Sequence, residues 1–142
     1  MSRQGRRSGF TLIEILVVIL VLGVLAALVA PSVFQHVGES RETAVASQIE
    51  MIGSALDAYR LDNDFYPSTD QGLVALRLVP AGDPPPRNWR GPYLKKDIPL
   101  DPWGHAYVYR NPSADPQKEY DLISYGRDGK EGGAGEDADI HN

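Results

Sequence analysis

From Phe10 to Ala30 the chain runs for 21 residues, FTLIEILVVILVLGVLAALVA, with one charge, at Glu14. At about 1.5 Å of rise per residue, a helix of that length reaches the roughly 30 Å of a bilayer's hydrocarbon core. Arg3, Arg6 and Arg7 precede it, with no acid among the first nine residues. A positive flank on that side predicts a cytoplasmic N-terminus, with residues 31–142 across the membrane. A secretory signal peptide has the same basic start and apolar run. Three features count against it: the run is longer than a usual h-region, the best small-residue cut after Ala30 would leave Pro31 at the scissile bond, and an h-region gains nothing from a carboxylate.

Glu14 needs a reason to be there, because a carboxylate in hydrocarbon costs several kcal/mol unless paired or neutralised. One answer is that it snorkels to the headgroups. The other uses the basic tag. A cut between Gly9 and Phe10 would give Phe10 a free α-amine at about the depth of Glu14. Between parallel, axially offset helices, the amine of one subunit then meets the carboxylate of the next, a charge pair that sets register.

The chain's 142 residues allow one modest domain plus an anchor and exclude a multidomain enzyme. With no cysteine there is no disulfide, thiolate metal site or thiol nucleophile. The formal charge of −5 becomes −8 without the basic tag, which argues against nucleic acid as a partner. His36, His105 and His141 are scattered, with no triad or zinc spacing, and no Gly-rich phosphate loop followed by Lys is present. A tethered hydrolase built on Asp121 and Asp128 is the enzymatic alternative, and nothing converges to support it.

Pro31 is expected to stop or kink the helix, with Gly23 and Gly38 as softer points. Beyond Gly38, Val45, Ile49, Ile52, Leu56 and Tyr59 are spaced 4, 3, 4 and 3, which predicts one apolar helical stripe. Glu50, Ser54, Asp57 and Arg60 fall mostly on its wet side. The stripe suits packing against the C-terminal half, while residues 10–40 pack against other subunits. Asp62-Asn63-Asp64 ends the helix.

A turn from Tyr66 to Gly72 leads into a short predicted helix, roughly 71–78, with Leu73, Leu76 and Leu78 facing inward. Residues 79–92 read as a Pro-rich loop, either a recognition surface or a rigid connection with Trp89 tucked against the core. Asp101-Pro102-Trp103-Gly104 is a turn signature, followed by strands at 105–110 and 119–125. The expected fold class is α+β, a long helix on a small antiparallel sheet.

Gly126 to Asp139 holds five glycines, five acids (Asp128, Glu131, Glu136, Asp137, Asp139) and two bases, Arg127 and Lys130. Backbone entropy and carboxylate repulsion oppose order in such a loop. It is either a disordered acidic tail or a site for a hard cation such as Ca²⁺, which takes six to eight oxygens. The spacing is not that of an EF-hand.

Arg7-Ser8-Gly9 followed by Phe10-Thr11-Leu12-Ile13-Glu14 resembles the leader and cleavage site of type IV pilin-like proteins. Three further stretches resemble the major (G-type) pseudopilins of type II secretion systems. They are Tyr66-Pro67-Ser68-Thr69 with Gln71-Gly72-Leu73; Asp101-Pro102-Trp103-Gly104 with Tyr107 and Tyr109; and Ser124-Tyr125-Gly126-Arg127-Asp128-Gly129 with Glu131-Gly132-Gly133 and Ala138-Asp139-Ile140.

That resemblance implies a pilin-like fold divided into a removed leader (1–9), a transmembrane and assembly helix (10–30), its amphipathic continuation (31–62) and a periplasmic head (63–142). Within the head, residues 125–139 would form a calcium loop. It implies prepilin peptidase cleavage after Gly9, N-methylation of Phe10, a role for Glu14 in ordered subunit addition, and a helix kinked at Pro31. The expected ion is Ca²⁺, with Asp128 and Asp137 as side-chain ligands, the Tyr125 carbonyl, and Asp139 or Glu136 completing the shell. The implied role is that of main subunit of a periplasmic filament that extends from the inner membrane and pushes folded proteins towards an outer-membrane channel. Partners implied are further copies of the chain, minor pseudopilins, the prepilin peptidase, the inner-membrane platform with its ATPase, and lipid before assembly. A type IV pilin or a minor pseudopilin at the filament tip is the alternative.

Overall fold

A computed structural model describes residues 9–142, the side chains of residues 29–37 excepted. The leader predicted at 1–9 therefore lies outside the described residues save for Gly9. The chain divides into two compact units between Gly38 and Glu39. One helix, α1 (Leu12–Asn63), supplies residues to both.

In the first unit α1 starts at a threonine cap. The Glu14 N–H lies 3.3 Å from Thr11 Oγ1 and 3.1 Å from the Thr11 carbonyl, which satisfies a donor that has no partner within the helix. Beyond the cap, apolar side chains occur on every face, so no stripe singles out a buried side. Large apolar residues from Leu12 to Leu28 are all exposed, from 49% at Val17 to 82% at Leu12. Among the described residues no helix is long and apolar enough to cross a membrane. The span predicted at 10–30 continues into residues 29 and 30, whose side chains lie outside the described set. The helical backbone continues through Pro31, so this proline does not end α1. The predicted kink falls within residues 29–37, outside the described side chains.

In the second unit the predicted stripe is the core. Val45, Ile52, Leu56 and Tyr59 are fully buried and Ile49 nearly so, while Glu50, Ser54, Asp57 and Arg60 face water. Each buried aliphatic side chain is worth about 1.5–3 kcal/mol of transfer free energy. The helix ends where its polar residues turn back on it. Asn63 Nδ2 donates to the Tyr59 carbonyl at 2.9 Å, and Asp64 takes a left-handed conformation with φ 71°.

A 3-10 turn, Leu73–Leu76, buries Leu73 and Leu76 against α1. The longer helix expected over 71–78 is not formed, and Leu78 is 64% exposed rather than inward-facing. A 3-10 turn completes a revolution in three residues, so an α-helical count carried past it points the wrong way. Trp89 settles the reading of the Pro-rich loop: it is half-buried, packs edge-on to Tyr93 and donates Nε1–H to the Ala75 carbonyl at 2.9 Å.

The sheet has three antiparallel strands, β1 (Val108–Arg110), β2 (Asp121–Ser124) and β3 (Ile140–His141), with β2 central and buried throughout. Its register pairs Val108 with Ile123 and Arg110 with Asp121, then Ser124 with Ile140. The first two strands are shorter than predicted. His105 has its N–H and carbonyl committed to Asp101, and the Glu119 carbonyl accepts from Ser113, so neither residue is free for the ladder. The fold is α+β, a long N-terminal helix packed on a small three-stranded antiparallel sheet.

Candidate functional site

The first region of interest is the start of α1. Phe10 is 80% exposed and Glu14 is exposed one turn along. Among the described residues nothing lies within 4 Å of where a side chain on Gly9 would project. Among the described residues no Lys, Arg or His pairs with Glu14. Thr11-x-x-Glu14 also has the spacing of a helix-capping box.

The second region is the loop between β2 and β3, and it rests on a buried carboxylate. Asp101 Oδ1 accepts from the backbone N–H of Trp103 (3.1 Å) and of His105 (2.8 Å), as a tight turn signature would have it. Its Oδ2 accepts from Ser124 Oγ at 2.7 Å, tying that turn to the end of β2. His105 Nδ1 then reaches the Gly126 carbonyl at 3.1 Å. Gly126 has φ 63°, and a Cβ there would lie 2.7 Å from the Glu136 carbonyl oxygen and 2.8 Å from that of Ala138. Only glycine lets the two ends of the loop come so close.

The predicted ligands are distributed along this loop in four ways. Asp137 and Glu136 are drawn together by Arg127. Its Nε and Nη2 lie 2.9 and 3.0 Å from the two Asp137 oxygens, and Nη1 lies 3.2 Å from Glu136 Oε2. The hydrogen bond to Asp137, before any other cause, raises the guanidinium's pKa. Asp128 is exposed, and its Oδ1 accepts from the Lys130 N–H at 3.0 Å. Asp139 Oδ2 accepts from the Gly132 N–H at 2.9 Å, while its Oδ1 is buried with no hydrogen-bond partner among the described residues. Tyr125 is half-buried, and its hydroxyl accepts from Arg110 at 2.9 Å.

A hard divalent cation asks for oxygen donors, and the side chains predicted to bind it offer only those. The orphaned Asp139 oxygen and the carbonyls gathered on Gly126 fit such an ion in kind. The carboxylates themselves do not converge: among the described residues no three acidic or histidine side chains group closely enough to hold a metal. The side chain whose role the sequence does not reveal is Arg127, which stands there as one of two bases and within a stretch that carries the resemblance. It supplies a cation that pairs with Asp137 and Glu136 across the loop.

Comparison with known proteins bears on both regions. Residues 4–30 match the family model described as the prokaryotic N-terminal methylation motif, and residues 32–142 match that of type II secretion system protein G. The chain is 51% identical over 141 residues to the type II secretion system core protein G of Pseudomonas aeruginosa, covering 99% of this chain and 97% of that one. It is 42% identical over 143 residues to the core protein G of Vibrio cholerae, covering 100% and 95%. It also resembles the crystal structure of the major pseudopilin of enterohaemorrhagic Escherichia coli, with TM-score 0.64 and 39% identity over 73% of this chain and 87% of that chain. This is a structural family, not an enzymatic one, and membership implies prepilin peptidase processing and filament assembly with the secretion machinery. With its methylation motif, its pilin-like helix on a small sheet and matches along nearly its whole length, the chain belongs to the type II secretion system protein G family, the major pseudopilins.

Proposed function

We propose that the processed chain, residues 10–142, is held in the inner membrane by the segment 10–30, with its N-terminus cytoplasmic and its head periplasmic, and is drawn from there into a homopolymer. Extending that filament, with minor pseudopilins, the platform protein and its ATPase as partners, drives folded proteins across the outer membrane. The observation that carries this reading is the helix from Leu12 to Leu28, apolar on every face and exposed along its length. Such a surface is stable only against lipid or against copies of itself. Within the bundle, Glu14 accepts the charge of the next subunit's Phe10 amine, and that pair fixes the axial offset. Co-expression with the peptidase, mass spectrometry of the N-terminus and electron microscopy of sheared material test it. The expected result is an N-methylated Phe10 and filaments; a mature chain starting elsewhere contradicts it.

The loop 125–139 binds one Ca²⁺ on this reading, through Asp128 and Asp137, the Tyr125 carbonyl, and Asp139 or Glu136. The ion supplies positive charge that offsets the loop's acids. The orphaned Asp139 oxygen and the all-oxygen ligand set support it. Millimolar calcium is expected to raise the melting temperature of the detergent-solubilised chain, and no rise contradicts it.

A further inference from the structure

Within the C-terminal loop, Arg127 places a cation between two acids. Arg127 presents two N–H donors to the two oxygens of Asp137, at 2.9 and 3.0 Å, and a third to Glu136 at 3.2 Å. The two carboxylates are adjacent in the chain and repel one another unless a cation stands between them. A guanidinium bound bidentately engages both oxygens, in the directions along which a metal would have to approach. The second base of the loop, Lys130, makes no ion pair among the described residues.

We propose that Arg127 is a built-in counter-ion that competes with a divalent cation for Asp137, so that metal binding displaces the guanidinium and occurs at a higher calcium concentration than the oxygen ligands alone would set. This rests on the calcium reading of the loop. No covalent step is involved: one ion pair is exchanged for metal coordination, and the guanidinium moves into solvent, where its side chain is already 57% exposed. Exchange of this kind makes the loop closed at both extremes of calcium, held by the arginine at one and by the ion at the other. It also makes the affinity depend on the arginine specifically and not merely on the loop's net charge.

The test uses the full chain in detergent, calcium chloride as the probe, and the variants Arg127→Gln and Lys130→Gln, which remove the same charge. Isothermal titration is expected to show Arg127→Gln binding calcium roughly two- to fivefold more tightly than the parent, the upper range of an exposed ion pair. Lys130→Gln is expected to shift affinity by less than half that factor. Hydrogen exchange of residues 126–139 without metal is expected to be faster in Arg127→Gln than in the parent, and the difference to vanish in saturating calcium. If the parent binds calcium and Arg127→Gln binds it equally or more weakly, the competition is overturned while the calcium reading stands. Equal shifts in both variants, or unchanged exchange in the metal-free Arg127→Gln chain, also overturn it. Absence of calcium binding by the parent removes the calcium reading and this inference with it.

Discussion

The two ends of α1 are made of similar residues and meet different fates. From Leu12 to Leu28 leucine, isoleucine and valine occupy every face and all of the large ones are exposed. From Val45 to Tyr59 they occupy one stripe, and that stripe is buried. The difference lies in what the chain itself can offer as cover. The second stretch has the 3-10 turn, Leu94 and the tyrosines of the sheet to pack on. For the first, covering an all-round apolar helix takes lipid or other subunits. Stability of the head therefore rests on one end of the helix, and on the proposed reading assembly rests on the other.

Matched truncations sharpen that contrast most. Leu56→Ala empties a fully buried position and is expected to cost the head about 2–5 kcal/mol, read from thermal unfolding. Leu16→Ala, at 58% exposure, is expected to leave that transition unchanged while lowering the yield of filaments. A Leu16→Ala chain whose head melts earlier would break the division. Next in size is Glu14→Ala, which is expected to preserve membrane insertion and to reduce filament yield at least tenfold, since leaving one partner of an ion pair uncompensated out of water costs about 3–5 kcal/mol. Normal yield from that variant contradicts the pairing.

A smaller effect isolates the head from the assembly end. The Asp121 carboxyl lies below its ordinary range, first because Ser113 Oγ donates to it at 2.5 Å and then because the Ala114 N–H does so at 3.0 Å. With the folded pKa depressed, its contribution to stability is complete above about pH 4 and is lost as pH falls through the folded value. Ser113→Ala is expected to destabilise the head by about 1 kcal/mol at pH 7, with the gap from the parent narrowing below pH 3. Filament yield at neutral pH should not change. An equal gap at both pH values would remove the electrostatic part of this account.

The sequence announced what depends on short-range spacing. The 4-3-4-3 stripe placed Val45 to Tyr59 in the core, Asp62-Asn63-Asp64 marked the helix end, and the leader with Glu14 pointed to the family. It was less informative where partners are distant in sequence. Leu78 was misplaced because an α-helical period was carried across a 3-10 turn. Strand β3 has only two residues, too few to show an alternation, and forms because the loop returns Ile140 beside Ser124. Asp101 was legible as a turn residue, yet its bond to Ser124 joins positions 23 residues apart. Arg127 meets Asp137 ten residues on, across an irregular glycine-rich loop to which neither helix nor strand periodicity applies.

The pairing of Glu14 with a neighbouring subunit is the claim on which assembly turns, and solid-state NMR of mixed filaments tests it most directly. Filaments grown from equal parts of chain with ¹⁵N-labelled phenylalanine and chain with ¹³C-labelled glutamate report contacts only between subunits. The account predicts dipolar coupling between the Phe10 amine and a glutamate side-chain carboxyl carbon, assigned to Glu14 by its loss in Glu14→Ala, with nitrogen and carboxylate oxygen within about 4 Å. Coupling confined to filaments in which single chains carry both labels would contradict it.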